Sequence, residues 1–292
     1  MPPGTPPMRA TARFSCLQLS PELGPGRPVM SMMPPMPPRS PSPRSPPGPL
    51  PPADAGPLPV LAVRDLRFGW SRGGPPCLDI ERFEVAAGEA VFLHGPSGCG
   101  KSTLLSLCAG VLLPDAGRVL LQDRDWAALP AARRDALRAD RVGYIFQQFN
   151  LLPYLSAIDN VLLPCRFSAS RARAAAGAGA VRDAAAALLR GMGLPEALWR
   201  QPARTLSVGQ QQRVAAARAL IGGPALVIAD EPTSALDEDR RDAFLDLLLD
   251  ACAARRSALV FVGHDRRVAG RFARQVALPD LNRAAVAAEA GA

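Results

Sequence analysis

Alternating apolar and polar positions predict that ordered structure begins near Pro59. The segment VLAVRDLRF alternates as a half-buried strand does, and ERFEVAAGEAVFLHG repeats the pattern before it ends in a glycine. Two later runs, ALVIAD and SALVFVGHD, are almost continuously apolar, which is typical of strands buried on both faces. A further stretch, LRADRVGYIFQQF, is predicted to be a strand followed by a loop.

Helices are predicted between these strands by the spacing of apolar residues. They cover residues 101–113, 171–192, 210–220 and 239–254. The second range is predicted to be one or two helices, because AGAGA interrupts it. Because strands that alternate with helices form parallel sheets, we expect an α/β fold with a mostly parallel sheet.

The N-terminal segment, residues 1–58, differs from the rest in composition. Residues 1–59 contain 20 of the 32 prolines, with Ser, Gly and Met between them, and such a segment cannot form an apolar core. We interpret it as disordered or as an over-extended start, with a proline-rich recognition segment as the alternative. The predicted organisation is therefore this segment, one domain over residues 59–282, and a C-terminal tail over residues 283–292.

Composition excludes several classes of protein. The first residues lack the apolar core of a signal peptide and no run of eighteen apolar residues occurs, so we expect a cytoplasmic chain whose membrane role would need a partner. The net charge of +8 is diffuse, without a long basic run, so no nucleic-acid partner is expected. The six cysteines show no C-x-x-C spacing and are interpreted as reduced thiols.

Lys101 is the only lysine among the 34 Lys and Arg residues. Arginine replaces lysine readily on a solvated surface, but its wide planar guanidinium does not fit where a compact ammonium must sit between phosphate oxygens. This position is therefore a candidate for phosphate binding before any motif is considered.

The residues around Lys101 fit the phosphate-loop pattern G-x-x-x-x-G-K-[ST], between an apolar strand and a predicted helix. Backbone N–H groups of such a loop surround the phosphates, Lys101 reaches the β and γ phosphates, and the Ser102 hydroxyl ligates Mg²⁺. The expected nucleotide-binding residues are Gly95, Pro96, Ser97, Gly98, Cys99, Gly100, Lys101, Ser102 and Thr103.

Two carboxylates, Asp230 and Glu231, end the apolar strand ALVIAD. Asp230 is placed to hold Mg²⁺, and Glu231 is placed to polarise the attacking water as general base. Acidic residues are also common at helix starts, so this assignment depends on its pairing with Lys101.

The segment Leu206-Ser207-Val208-Gly209-Gln210 resembles the LSGGQ signature of the ATP-binding-cassette (ABC) family, and a predicted helix follows it. The resemblance implies that Ser207, Gly209 and Gln210 contact, in trans, the γ-phosphate bound by a second subunit. Val208 departs from the usual glycine, which puts in doubt any need for a special backbone angle there.

Other motifs of the family follow in the expected order. Gln147 resembles the Q-loop glutamine, which implies that it senses Mg²⁺ and the attacking water, and Gln148 is the less favoured register. Asp237 ends a D-loop match, Ser234-Ala235-Leu236-Asp237, which implies a connection between the two active sites of the dimer. His264 resembles the switch histidine, which implies that it contacts the γ-phosphate and orients Glu231. The adenine-stacking aromatic is expected to be Trp70, with Phe68 as the alternative, and either could instead be a core residue. His94 has no counterpart in the family and is interpreted as structural.

The resemblance covers roughly residues 60–280 and implies a P-loop NTPase of the ABC type. The expected fold has a mostly parallel sheet core, an antiparallel β subdomain and an inserted α-helical subdomain at about residues 148–215. The implied activity is ATP hydrolysis with ATP and Mg²⁺. The implied partners are a second ABC subunit, as a homodimer, and an integral-membrane permease, with the chain on the cytoplasmic face of the cell membrane.

Within the family, FNLLPYLSAIDNV and LSVGQQQRVAAARAL look most like the ATPases of lipoprotein-releasing and macrolide-type exporters. In that family a short helix of the membrane subunit docks beside the Q-loop. We expect Phe149, Leu151, Leu152 and Tyr154 to line this groove and Phe146 to lie in the core, unless all of them pack the helical subdomain onto the sheet. Soluble or regulatory ABC ATPases of cell division, DNA repair or ribosomes are the alternative.

Overall fold

A computed structural model describes residues 59–71, 74–234 and 236–284. The predicted N-terminal segment over residues 1–58 and most of the predicted tail lie outside the described residues. The first strands that the alternating pattern predicts are present, as β1 (Leu61–Phe68) and β2 (Leu78–Val85), which pair antiparallel with Leu61 opposite Val85.

The described residues form two β-sheets. The first is antiparallel, in the order β2-β1-β4-β5, where β4 is Ala116–Leu121 and β5 is Arg124–Asp125. The second has five parallel strands in the order β6-β7-β8-β3-β9. These strands are β3 (Ala90–His94), β6 (Val142–Ile145), β7 (Leu226–Asp230), β8 (Ala258–Val262) and β9 (Arg274–Ala277).

The parallel sheet is covered on both faces. Along β7, Leu226 and Ile228 pack into one apolar core, while Val227 and Ala229 pack into the other, and β8 alternates in the same way. Burial of both strand faces explains why these strands have continuously apolar sequences, because neither face meets water.

Nine α-helices connect and cover the strands of the described residues. They are α1 (Lys101–Cys108), α2 (Ala131–Arg141), α3 (Ala157–Phe167), α4 (Ala169–Ala176), α5 (Val181–Gly191), α6 (Val208–Leu220), α7 (Glu238–Ala254), α8 (Arg266–Ala269) and α9 (Leu278–Leu281). Helices α3, α4 and α5 form the helical part between β6 and α6, which together with the antiparallel sheet confirms the predicted fold class. No helix in the described part of the chain is long and apolar enough to span a membrane.

Two predicted helix and strand boundaries differ from the structure. Helix α1 ends at Cys108 instead of residue 113, because Gly110 turns the chain with a φ of 68°, and a Cβ there would come within 2.5 Å of the Trp126 ring. The predicted strand in LRADRVGYIFQQF is confined to β6, since the preceding residues belong to α2.

Candidate functional site

The sheet topology brings four predicted motifs to one edge. The phosphate loop follows β3, Gln147 follows β6, Asp230 ends β7 and His264 follows β8. All four strands are parallel, so their carboxyl ends lie at the same edge of the sheet, where ligands of open α/β sheets bind.

The phosphate loop is held by its own lysine. Lys101, the first residue of α1, is only 8% exposed, and its Nζ donates hydrogen bonds to the carbonyl oxygens of Gly95 (2.8 Å) and Pro96 (2.9 Å). Gly100 caps the helix in the left-handed region with a φ of 102°, and a Cβ there would lie 2.8 Å from the Leu78 side chain. The loop therefore requires glycine at this position for both its backbone angle and its space.

The rest of the loop is open to solvent. Pro96, Ser97, Gly98 and Ser102 are exposed, and partial exposure is shared by Gly95, Cys99, Gly100 and Thr103. The N-terminal end of α1, with its positive dipole, follows directly. An anion can thus reach the loop from solvent.

Asp230 lies near both Lys101 and Ser102. Burial raises the pKa of its carboxyl, and the neighbouring Glu231 raises it further, while Lys101 and a hydrogen bond with Ser102 oppose this. A cation bound beside this carboxyl would stabilise its ionised form.

Both carboxylate oxygens of Glu231 have partners. Gln147 donates from Nε2 to Oε2 at 3.4 Å, and His264 donates from Nε2 to Oε1 at 2.5 Å. The structure thus brings the candidate base Glu231 together with the Q-loop and switch-histidine candidates, and the residue in contact with Glu231 is Gln147 and not Gln148. Glu231 itself has a left-handed backbone, with a φ of 46°, and its N–H donates to the carbonyl of Val262 at 3.1 Å.

A small cavity opens beside Glu231 and His264, and its lining includes an ion pair that the sequence analysis missed. Arg241 of α7 binds Asp265, the residue after His264, and also donates to the carbonyl of Leu236 at 3.2 Å. The two partners are 24 residues apart and belong to no motif, so only the fold brings them together.

The signature-like residues form the start of α6. Ser207 is the N-cap: its N–H donates to Gln210 Oε1 (2.9 Å), and Gln210 N–H donates to Ser207 Oγ (3.4 Å), a capping box. Ser207 is exposed, Gly209 is partly exposed, and Val208 is 48% exposed. A valine at position 208 is accommodated because it has ordinary helical geometry and points to solvent.

A buried glutamine that the sequence analysis also missed connects this helix to the catalytic candidates. Gln212 is fully buried on α6 and donates from Nε2 to the carbonyl of Pro232 at 2.8 Å. Pro232 follows Glu231 directly, so α6 is tied to the turn that carries the carboxylate.

The D-loop candidate Asp237 lies at the start of α7. Asp237 caps α7, because its side chain accepts a hydrogen bond from Arg240 N–H at 3.0 Å.

Phe68 is buried in the core, whereas Trp70 is 62% exposed and packs edge-to-face on Phe68 with ring centroids 5.2 Å apart. Of the two aromatic residues, only Trp70 has a ring available to a ligand. His94 is half-buried, with its ring 5.9 Å from that of Phe92.

The predicted placement of two phenylalanines is wrong. Phe146, expected in the core, is 38% exposed and stacks on Tyr144, while Phe149, expected in the groove, is 6% exposed and packs into the apolar core. The reason is the turn after β6: Phe149 has a φ of 59°, which directs its side chain inward.

Comparison with known proteins identifies the family. The family model described as "ABC transporter" matches residues 78–234. The lipoprotein-releasing system ATP-binding protein LolD of Hydrogenovibrio crunogenus is 40% identical over 198 residues, covering 68% of this chain and 83% of the relative. LolD 2 of Caulobacter vibrioides is 39% identical over 224 residues, covering 76% and 95%.

A solved structure agrees with these relatives. The dimeric post-hydrolysis structure of the ATP-binding cassette MJ0796, bound to ADP and Pi, matches with a TM-score of 0.65 and 32% identity, over 74% of this chain and 93% of that chain. The chain therefore belongs to the ABC transporter family, as an ATP-binding domain.

Proposed function

We propose that this chain hydrolyses ATP with Glu231 as general base, and that the cycle powers transport through a separate membrane permease of the lipoprotein-releasing type. The observation that carries the proposal is the carboxylate of Glu231, held between Gln147 and His264 at the sheet edge that carries the phosphate loop. Likeness to LolD proteins supports the class of transporter.

The donor set near the phosphate loop fits a hard divalent cation. The Ser102 hydroxyl and the Asp230 carboxylate are oxygen ligands of the kind Mg²⁺ prefers, and the raised pKa of Asp230 favours neutralisation by a cation. We propose the amide oxygen of Gln147 as a third ligand. When bound, Mg²⁺ would supply neutralising charge to the β and γ phosphates.

In the proposed mechanism, each residue has one task. Lys101 exchanges its carbonyl partners for phosphate oxygens, and the N–H groups of the loop and of α1 surround the phosphates. Glu231 orients the water and accepts its proton, because an ionised carboxylate accepts hydrogen bonds and can act as a general base. His264 holds Glu231 from one side and Gln147 holds it from the other, so the base is fixed before the reaction.

The second subunit would complete the site. Ser207, Gly209 and Gln210 lie at the exposed start of a helix, whose N–H groups and dipole favour an anion. We propose that they meet the γ-phosphate bound by a partner subunit in a homodimer, with Asp237 near the interface and Trp70 stacking on adenine. The dimeric form of the MJ0796 cassette supports this arrangement.

Asp230→Asn is expected to raise the melting temperature of the chain while lowering Mg²⁺-dependent ATPase activity by at least ~100-fold. The carboxyl has a raised pKa, so the fold disfavours its charged form and a neutral amide removes that cost. Thermal unfolding without nucleotide, compared with steady-state turnover, checks both parts. The gain in stability should vanish at acid pH, where Asp230 is protonated both folded and unfolded.

Asp79→Asn is the matched control for the direction of the change in melting temperature. Burial raises the pKa of Asp79, but hydrogen bonds and ion pairs with Arg283 and Arg67 outweigh it, so the net pKa is lowered. Removing this charge should therefore lower the melting temperature. A drop in melting temperature for Asp230→Asn as well would contradict the interpretation of Asp230.

We also propose that the loop before α3 docks a helix of the permease, on the cytoplasmic face of the membrane. Asn160 is fully buried and fixes this loop, because its side chain bonds to Leu152 N–H and to the carbonyls of Leu152, Leu155 and Ser156. Tyr154 is 67% exposed on the loop. A large aromatic side chain presented on a rigid turn is typical of a binding surface.

Tyr154→Ser is expected to reduce co-purification of the chain with its permease from membranes at least about tenfold, because an aromatic anchor is lost. Its melting temperature should stay near that of the unchanged chain, since the ring is solvent-exposed. Phe167→Ser is the control: Phe167 ends α3 and is 80% exposed, but it lies outside the loop. Equal retention of the permease by both variants would rule out this docking surface.

A further inference from the structure

The turn after Gln147 contains two consecutive non-glycine residues with left-handed backbones. Phe149 has a φ of 59° and Asn150 a φ of 47°. This region is unfavourable for phenylalanine, whereas asparagine tolerates it better, and two such residues in a row persist only where the surroundings hold them. The backbone of this segment therefore needs an anchor outside itself.

Arg218 of α6 provides that anchor. Its guanidinium donates from Nη2 to the carbonyl of Phe149 at 2.5 Å and from Nη1 to the carbonyl of Asn150 at 2.6 Å. Burial lowers the pKa of Arg218. A partly buried arginine thus uses its planar fork on two successive carbonyls of a strained turn.

We propose that Arg218 is a positioning residue, which fixes the turn after β6 so that the Gln147 amide reaches Glu231. The inference rests on the proposed role of Gln147 and Glu231. It adds a connection between this contact and the helix whose first residues are the signature.

The same helix also holds the other side of the contact. Gln212 binds the carbonyl of Pro232, next to Glu231, while Arg218 binds the turn that follows Gln147. Helix α6 therefore anchors the two backbone segments that carry the partners of the Gln147–Glu231 hydrogen bond. A shift of α6 produced at its exposed start would move the two partners together.

Arg213 offers a matched control on the same helix. Its Nη1 donates to the carbonyls of Met192 and Gly193, each at 3.0 Å, and this contact ties α6 to the end of α5. Arg213→Ala removes a contact of the same chemical type from the same helix, but one that does not involve the Gln147 turn.

The first test is hydrogen–deuterium exchange of the full chain without nucleotide. Arg218→Ala should speed exchange of the amides of residues 147–152 by about fivefold or more, whereas Arg213→Ala should speed exchange of the amides of residues 192–194 instead. Unchanged exchange of residues 147–152 in Arg218→Ala would overturn the proposal, whatever the fate of the ATPase mechanism. If Arg218→Ala does not fold, Arg218→Lys serves, because one ammonium replaces the fork poorly.

The second test is a double-mutant cycle in ATPase activity. Arg218→Ala should lower kcat about tenfold and change KM for ATP less than about threefold, since a misplaced group costs turnover more than binding. In a Gln147→Ala background the same change should cost less than about twofold, because Arg218 acts through Gln147. If the losses in kcat of the two single variants add in the double variant, Arg218 does not act through Gln147. Full activity of Gln147→Ala alone would instead reject the proposed role of Gln147.

Discussion

Glu231→Gln is expected to lower kcat about a thousandfold while leaving ATP binding intact. The amide keeps the size and shape of the side chain but cannot accept the proton of the attacking water, and general base catalysis contributes about 10²–10⁴-fold. ATP then remains bound, so the variant should persist as a dimer. Steady-state turnover measures the first effect, and gel filtration with ATP and Mg²⁺ measures the second.

Glu196→Gln is the control for this experiment. Glu196 pairs with Arg190 at 2.6 Å on the exposed surface between α5 and α6, far along the chain from the phosphate loop. Its replacement should leave both turnover and assembly near those of the unchanged chain. Turnover of Glu231→Gln within about threefold of normal would remove Glu231 from the role of base.

Lys101→Ala is expected to abolish nucleotide turnover and to weaken ATP binding at least ~100-fold. The β and γ phosphates lose their main cation at a site where charges are poorly screened. The loop also loses the two hydrogen bonds from Nζ to Gly95 and Pro96. Titration with a fluorescent ATP analogue and a steady-state ATPase assay check these effects.

Lys101→Arg separates charge from shape. It keeps the positive charge, but the guanidinium is too wide for a site that holds a compact ammonium at 8% exposure. We expect it to lose most of the activity as well. Near-normal turnover in Lys101→Arg would show that net charge alone is needed at this position.

Local patterns were sufficient for the fold class and for the motifs. The phosphate loop, the Asp230 and Glu231 pair and the start of α6 each depend on neighbouring residues, so spacing and residue type predict them. The meeting of Gln147, Glu231 and His264 follows from parallel strand order, because each residue lies just beyond the end of its strand.

Contacts between distant segments could not be predicted in this way. Arg241 with Asp265 and Gln212 with Pro232 join residues 24 and 20 positions apart. The Asn160 network is local, but it spans a turn of irregular geometry that no motif predicts. The reversed burial of Phe146 and Phe149 also depends on a contact between distant segments. A phenylalanine does not signal a left-handed backbone, so the direction of the Phe149 side chain depends on an anchor, Arg218, almost 70 residues further on.

The placement of Lys101 also determines how the protein responds to amine-directed chemistry. Every other basic side chain, histidine apart, is an arginine, so an acylating label has one ε-amino group to find in the whole chain. That amino group is nearly buried and donates to two carbonyls, which slows its modification. Mild labelling will therefore leave Lys101 largely unmodified, and any reagent that does modify it reports directly on access to the phosphate loop.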